Sequence, residues 1–292
     1  MKYYLHCLRA IRIHQWIKNV LVFVPVLTAH QLNRPMVVER ALLGAVAFCF
    51  ISSAVYVWND LCDIKSDRKH PAKRNRPFAA GHLMPRTGLF LVMGCAIAGF
   101  GAGLCCGLKF TEILAGYVLL NVLYSAFLKK EPVLDVVILS GFYTLRLIAG
   151  GVATGIQLSV WLLIFSVFFF FGLALVKRYA ELLETAESLE QSPAGRGYLG
   201  LDLTKIGALG VSSGMISVLV LALYVQSPDV LLLYHRPKYL LLLCPLLIYW
   251  IGRIWTLANR GAITGDPIVF TLKDIRSYAL GAAALAIIYG AT

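Results

Sequence analysis

Long apolar stretches alternate with short polar connections along most of the chain, and their length predicts membrane-spanning helices. About 20 apolar residues are needed to cross roughly 30 Å of hydrocarbon as a helix. The pattern therefore predicts an all-α, multi-span membrane protein with about nine transmembrane helices in a single domain, residues 1–292. The predicted spans are 16–32, 36–58, 88–107, 110–128, 133–153, 158–176, 203–226, 238–256 and 277–291.

Composition supports this fold class. Hydrophobic residues make up 59% of the chain and charged residues 14%, which is typical of multi-span membrane proteins and excludes a soluble globular core. The seven cysteines are scattered without metal-site spacing and are interpreted as reduced packing residues. Residues 1–15 are basic and aromatic and lack a small-residue cleavage site, so they predict an amphipathic helix on the membrane surface rather than a signal peptide.

The distribution of basic residues orients the predicted spans. With the N-terminus in the cytoplasm, 21 of the 27 Lys and Arg residues fall on cytoplasmic segments and five on the opposite side. The charge-rich loops then all face the cytoplasm, and the expected location is the cytoplasmic membrane. The protein is expected to interact with the lipid bilayer and not with nucleic acid. The sequence leaves the oligomeric state open, a homo-oligomer included.

The most polar segment, residues 59–87, holds three aspartates and seven Lys or Arg residues between two apolar spans. If the helix continues past Trp58, three of its oxygen-bearing side chains recur every four residues and share one face. Clustered carboxylates repel each other unless a cation lies among them, and Mg²⁺ prefers such oxygen ligands together with phosphate oxygens. The predicted metal ligands are Asn59, Asp60, Asp63 and Asp67.

The basic residues of the same loop fit a diphosphate bound to that metal, because charge-assisted hydrogen bonds satisfy the remaining phosphate oxygens. The alternative is a loop that serves only as a topology signal, which requires cations but not acids at helical spacing. The expected phosphate-binding residues here are Arg68, Lys69, Lys73, Arg74 and Arg76.

Later segments add candidates of the same chemistry. Tyr124 and Lys129 fit phosphate binding, and an interfacial belt of Tyr and Lys is the alternative. Arg146 lies inside an apolar span, where it needs a polar cavity or a buried anion, and pairing with Asp135 is the alternative. The segment after span six predicts a further part of the site. Its candidates are Lys177, Arg178, Tyr179 and Glu181, of which Lys177 and Glu181 are also spaced to pair with each other.

One loop near the C-terminus carries a last group of charges. Asp266, Lys273 and Asp274 are interpreted as residues that cap and anchor the final helix.

Over essentially its full length the chain resembles the UbiA superfamily of intramembrane prenyltransferases, and within it the decaprenyl-phosphate phosphoribosyltransferase branch. The superfamily motifs are NDLCDIKSD from residue 59 and YSAFLKK from residue 124. Those of the branch are HQWIKN at 14–19, HPAKRNRPFAAG at 70–81, LRLIAGG at 145–151, KRYAEL at 177–182 and DPIVFTLKD at 266–274. The chain departs from typical members where KRYAEL replaces a second aspartate-rich motif, which weakens the case for a prenyl diphosphate donor.

The resemblance implies a UbiA-like bundle around a central cavity. It also implies Mg²⁺-dependent transfer of 5-phosphoribose from 5-phosphoribosyl diphosphate to a polyprenyl phosphate, with release of diphosphate, as a step in cell envelope biosynthesis. In this interpretation Asn59, Asp60, Asp63 and Asp67 hold the metal, while Lys18, Arg146, Lys177 and Arg178 align the two phosphates. Two alternatives remain: prenyl transfer from a prenyl diphosphate to an aromatic or other small acceptor, and a non-enzymatic lipid-binding or transport role.

Overall fold

The structure, a computed structural model, describes residues 2–69, 73–185, 197–263 and 265–292. Residues 70–72 of the basic motif and Arg196 of the charge distribution lie outside the described residues. Every regular element within those ranges is helical, which confirms the predicted all-α fold.

Thirteen α-helices in the described ranges, connected by turns and short 3₁₀ segments, make up the fold. The α-helices are α1 (Lys2–Ala10), α2 (Val24–Thr28), α3 (Pro35–Cys62), α4 (Ile64–Lys69), α5 (Pro85–Cys106), α6 (Leu108–Ala126), α7 (Leu134–Thr154), α8 (Val160–Thr185), α9 (Leu203–Val225), α10 (Pro228–Leu231), α11 (Leu243–Asn259), α12 (Pro267–Thr271) and α13 (Ile275–Ala291). The 3₁₀ segments are Ile13–Phe23, Lys73–Asn75, Leu128–Lys130, Gly200–Asp202 and Pro237–Leu242.

Six helical segments of the described chain are long and apolar enough to cross a membrane, so the multi-span prediction is confirmed while the count of nine is not. They are Pro35–Cys62, Pro85–Cys106, Leu134–Thr154, Val160–Glu184, Gly200–Val225 and Pro237–Asn259. Helix α13 is apolar but has only 17 residues. The first predicted span is divided between the 3₁₀ segment Ile13–Phe23 and helix α2, which has Pro25 in its first turn.

The chain divides into two compact units. Unit 1 consists of Met1–Ser125 and Leu145–Gln157, and unit 2 of Ala126–Thr144 and Leu158–Thr292. Helix α7 therefore contributes residues to both units.

In unit 1, helix α3 packs against α5 and against the 3₁₀ segment Ile13–Phe23. Gly99 of α5 lies so close to Ile51 that an added Cβ would be 2.6 Å from the isoleucine Cγ1. Small residues allow close helix approach in membranes, where burial of apolar surface supplies little force between helices. The glycines of α5 thus bring it against the helix that carries Asp60.

Helix α1 lies within the segment predicted as a surface helix, and Tyr4 and Leu8 are exposed on it. It ends at Ala10, earlier than residue 15. Ala10 packs in a small buried cluster with Val57, Phe78 and Leu83. This cluster joins the N-terminal helix to the end of α3 and to the loop that follows it.

In unit 2, helices α8, α9 and α11 pack through glycines. Gly172 of α8 faces the backbone carbonyl of Gly210 in α9, and Gly210 in turn lies directly against the indole ring of Trp255 in α11. A Cβ at Gly214 would be 2.8 Å from Ile251. This close packing fixes α8, which ends in the KRYAEL motif.

Candidate active site

Asp60 and Asp67 meet at a single guanidinium nitrogen in unit 1. Nη1 of Arg76 donates to Oδ1 of Asp60 at 3.0 Å and to Oδ2 of Asp67 at 2.8 Å. Both aspartates are buried, at 3% exposure. The two carboxylates thus define a cation position close to the end of helix α3.

The local backbone brings these acids together in a way that the spacing only partly predicts. Helix α3 continues past Trp58, as the spacing argument requires, but it ends at Cys62, with Asp63 as its C-terminal cap, and α4 begins at Ile64. The helix is therefore interrupted at Asp63, although backbone hydrogen bonds still connect Asp63 to Asn59 and Asp67 to Asp63 at a spacing of four residues. Asp60 and Asp67 are the acids that share a cation.

Arg12 adds a second cation to the same carboxylate. Its Nη2 donates to Oδ1 of Asp60 at 2.6 Å, and its guanidinium carbon lies 5.0 Å from the centre of the Tyr56 ring. Arg12 has a left-handed backbone, with φ 55°, which is unusual for a residue with a Cβ. Sequence reasoning placed Arg12 in the surface helix and missed its contact with Asp60; its position just before the HQWIKN motif is the signal that could have identified it.

The remaining candidates of the loop lie close to Asp60 and Asp67 in sequence. Asn59 and Asp63 are half-buried at the end of α3, Lys73 is half-buried, and Arg74 is exposed. Arg68 uses its Nε to hold the carbonyl oxygen of Ala79, which gives it a part in shaping the loop.

The donor set fits Mg²⁺ only if substrate completes it. Among residues 2–69, 73–185, 197–263 and 265–292, no group of three or more His, Cys, Asp or Glu side chains forms a metal site. Mg²⁺ is commonly held by one or two carboxylates together with substrate phosphates and water. Asp60 and Asp67, already gathered around one cation, meet that requirement.

Arg146, the intramembrane arginine, is buried in unit 1 among polar and aromatic groups. Its Nε donates to Oδ1 of Asn19 at 2.8 Å and its Nη2 to the hydroxyl of Tyr117 at 3.0 Å. The rings of Phe48 and Tyr117 lie 5.6 and 5.1 Å from the guanidinium carbon. The prediction of a polar environment for Arg146 is thus confirmed, whereas Asn19 and Tyr117 were missed as its partners.

Two other candidates of unit 1 are placed as follows. Lys18 is buried beside Asn19 in the 3₁₀ segment, at 9% exposure. Tyr124 is half-buried near the end of α6.

In unit 2 the KRYAEL motif forms a buried ionic network. Nε of Arg178 lies 2.6 Å from Oδ2 of Asp135, and both side chains have at most 1% exposure. Nη1 of Arg178 also pairs with Glu181. The alternative sequence interpretation assigned Asp135 to Arg146, but Asp135 accepts from Arg178.

Tyr198 completes this network. Its hydroxyl accepts from the backbone N–H of Val133 at 2.7 Å and lies 3.4 Å from Oδ1 of Asp135. Burial, with Asp135 close by, raises the pKa of Tyr198 to about 12, so the hydroxyl stays protonated at neutral pH. Val133 has φ 65°, a rare conformation for a β-branched residue, and the Tyr198 hydroxyl stabilises it. Nothing in the sequence pattern identified Tyr198.

The other candidates of unit 2 are less buried. Lys177 is half-buried in α8, and Lys129 is half-buried in the 3₁₀ segment Leu128–Lys130. The hydroxyl of Tyr179 donates to Oδ1 of Asn259 at 2.6 Å, and its ring packs edge-on against Trp255.

The interpretation of the C-terminal acids as caps of the final helix is confirmed for Asp274, whereas Asp266 caps the short helix before it. Oδ1 of Asp266 accepts from the backbone N–H of Ile268 at the start of α12. Asp274 accepts from the backbone N–H of Ser277 in α13 and pairs with Arg253 through two hydrogen bonds of 2.6 and 2.8 Å. The hydrogen bond from Arg253 is the main cause that lowers the pKa of Asp274 to about 2.

The family model of the UbiA prenyltransferases matches residues 20–272. The chain belongs to the UbiA prenyltransferase family. A solved structure of a UbiA homolog from Archaeoglobus fulgidus, bound to GPP and Mg²⁺, shares the fold with a TM-score of 0.72. At 18% identity the match covers 97% of this chain and 99% of that one.

Proteins similar in sequence match different shares of this chain and of their own length. An uncharacterized protein, y4nM, of Sinorhizobium fredii is 37% identical over 94% of this chain and 54% of its own length. Nodulation protein NoeC of Azorhizobium caulinodans is 35% identical over 91% of this UbiA-family chain and 86% of its own. Decaprenyl-phosphate phosphoribosyltransferase of Corynebacterium glutamicum is 38% identical over 60% of this chain and 54% of its own. The chain thus spans about half the length of the first and third of these relatives.

Proposed function

We propose that the protein transfers 5-phosphoribose from 5-phosphoribosyl diphosphate to a polyprenyl phosphate in the membrane and releases diphosphate. The observation that carries the proposal is the meeting of Asp60 and Asp67 at one cation, beside a basic loop. Such a pair suits a donor whose leaving group is a diphosphate. The similarity to decaprenyl-phosphate phosphoribosyltransferase supports ribose phosphate as the group transferred.

In this proposal the C1–O bond to the diphosphate breaks and a bond forms from C1 to an oxygen of the lipid phosphate. The lipid phosphate is already anionic, so the reaction needs no strong base. Asp60 and Asp67 would hold Mg²⁺, which when bound would stabilise charge on the leaving diphosphate. Lys73, Arg74 and Arg76 would neutralise further phosphate oxygens.

The buried cations have a positioning role in the same proposal. Arg146, fixed by Asn19 and Tyr117, offers a pre-oriented positive charge within unit 1, and Lys18 lies in the neighbouring segment. Correct alignment of two reactants accounts for a large share of many rate enhancements. Loss of Arg146 should therefore lower kcat as well as affinity.

In unit 2 we propose phosphate contacts for Lys129, Lys177 and Tyr179, as for Tyr124 in unit 1. Arg178 has a different role in the proposal, because Asp135 and Glu181 already use its charge. It would keep Glu181 in place rather than bind phosphate itself. We also propose that α1 and the 59–87 loop lie on the cytoplasmic side, where 5-phosphoribosyl diphosphate is available.

The test is a transfer assay with purified protein, Mg²⁺, ribose-labelled 5-phosphoribosyl diphosphate and a polyprenyl phosphate, followed by counting label in the organic phase. Wild type should transfer label, and Asp67→Asn should lose nearly all of this activity. Glu39→Gln is the matched control, because Glu39 is exposed at the far end of the helix that carries Asp60. Absence of transfer by folded wild-type protein over several lipid lengths would reject the proposal.

A second candidate function is transfer of a prenyl group from a prenyl diphosphate. It is favoured by the shared fold with the Archaeoglobus fulgidus homolog bound to GPP and Mg²⁺. A parallel assay with labelled geranyl diphosphate and a set of small aromatic acceptors separates the two functions. Label that moves from the prenyl donor, and not from the ribose donor, would establish this candidate instead.

A further inference from the structure

We propose that Arg76 occupies, in the substrate-free protein, the position between Asp60 and Asp67 that a divalent cation takes when substrate binds. This inference rests on the proposed function and adds how metal and diphosphate binding are coupled. One nitrogen, Nη1 of Arg76, contacts an oxygen of each carboxylate. A single positive centre bonded to two carboxylates from different helices is the arrangement that a bridging metal ion would have.

On Asp60, the lone pairs of the oxygen that contacts Arg76 are already in use. Oδ1 of Asp60 accepts from both Arg12, at 2.6 Å, and Arg76, at 3.0 Å. A carboxylate oxygen has about two lone-pair sites. A metal ion can bind this oxygen only after one guanidinium leaves it. Arg12 and Arg76 therefore compete with the metal for the same atom.

Charge balance shows what makes the exchange favourable. Two buried carboxylates and two guanidinium groups form a cluster with no net charge. A bare divalent cation would add two positive charges to a poorly solvated place and would leave a guanidinium without its anion, which is costly. A cation that arrives with diphosphate brings negative charge with it, and the released guanidinium can bond to phosphate oxygens.

Two consequences follow for binding. The protein alone should bind a divalent cation weakly, and it should bind the same cation much better as a diphosphate complex. Binding free energies are linked reciprocally, so the metal must improve diphosphate affinity by the same factor. Arg76 is the residue that gives this coupling, because it changes partner from carboxylate to phosphate.

Mn²⁺ is a suitable probe because its free form can be counted by electron paramagnetic resonance, without any ribose donor or lipid. In Arg76→Gln, the affinity for bare Mn²⁺ should rise about tenfold, equivalent to about 1.4 kcal/mol, because its competitor has gone. The affinity for Mn²⁺–diphosphate should fall by about the same factor. These opposite shifts distinguish the exchange from a general loss of structure, which would weaken both affinities.

Lys65→Gln is the matched control. Lys65 is an exposed cation on α4, the helix that carries Asp67, and its replacement removes the same charge. It should leave both affinities close to wild type. Arg76→Lys should restore weak binding of bare Mn²⁺, since an ammonium group can also bond to both carboxylates. If Arg76→Gln does not fold, Arg12→Gln applies the same test to Oδ1 of Asp60.

Unchanged or weaker binding of bare Mn²⁺ in folded Arg76→Gln would overturn the inference, and so would an equal gain in Lys65→Gln. The measurement is independent of turnover. Opposite shifts in a protein that transfers no ribose phosphate would support the exchange and reject only the proposed reaction. Normal transfer without those shifts would reject only the exchange.

Discussion

Arg178 and Asp135 form an ion pair in which both side chains are almost completely buried, with Nε of Arg178 2.6 Å from Oδ2 of Asp135. A buried pair of this kind is costly to break from one side, since the remaining charge loses its partner in a place that water does not reach. The pair includes the arginine of the KRYAEL motif, and the same guanidinium also holds Glu181. Its integrity is therefore the first requirement for the structure of this region.

Asp135→Ala should destabilise the protein by about 3–5 kcal/mol, the usual cost of leaving a buried charge unpaired. Unfolding in mixed micelles, followed by circular dichroism, measures this loss. Glu131→Ala is the control, because Glu131 is exposed in the segment just before the same helix. The double variant Asp135→Leu with Arg178→Met should lose less than Asp135→Ala alone, and a larger loss would contradict this account of the pair.

Gly150→Ala should lower both stability and activity. A Cβ at Gly150 would collide with the backbone carbonyl of Val22, in the 3₁₀ segment that holds Lys18 and Asn19. Overpacking of this kind costs about 1–3 kcal/mol, and displacement of the segment would weaken the hydrogen bond from Arg146 to Asn19. Thermal unfolding and the transfer rate measure the two effects.

The control for this substitution is on the same helix. A Cβ at Gly141 would meet nothing within 4 Å, so Gly141→Ala should leave activity intact and stabilise the helix by about 0.5–1 kcal/mol. Equal stability and equal transfer rate in the two alanine variants would show that the close approach at Gly150 does not affect function.

Asp274 should stabilise the C-terminal region above about pH 4 and lose this effect in acid. Its pKa in the folded protein is about 2, below the ordinary 3.8, so the folded state binds the proton less tightly than the unfolded state does. The stabilisation is complete above the ordinary pKa and disappears as the pH falls through about 2. Melting temperatures of wild type and Asp274→Asn, compared from pH 7 to pH 2, measure this contribution.

The two melting temperatures should differ by a constant amount between pH 7 and pH 5, and the difference should shrink below pH 4. A difference that grows in acid would contradict the assignment. Asp202→Asn serves as the comparison, because Asp202 also accepts a backbone hydrogen bond, from the N–H of Leu199, at the start of another helical segment.

Much of the fold follows from local pattern, because apolar length predicts a membrane helix without knowledge of its neighbours. The same local reasoning predicted that Arg146 needs polar surroundings, and its condition that the helix before Asn59 continues past Trp58 holds in the structure. Contacts between distant residues are a different matter. Asp135 and Arg178 are 43 residues apart in sequence. From the sequence alone, Asp135 could equally have paired with Arg146.

Local sequence pattern also could not predict the helix break at Asp63 or the path of the chain to Arg76. Neither depends on an apolar repeat, so no periodicity marks them. The bridging of Asp60 and Asp67 requires both the break and that path. Charge clustering predicted that acids and cations meet in this segment, and the folded chain shows which acids share a cation.

Helix α3 has 28 residues and therefore measures about 42 Å at about 1.5 Å per residue. The hydrocarbon layer of a bilayer is roughly 30 Å thick. The helix is thus longer than a perpendicular crossing requires, and Asp60 lies only two residues from its end. Bilayer thickness consequently becomes a variable of the site: thicker membranes would draw the Asp60 cluster toward the acyl chains, and thinner ones would move it out among the headgroups.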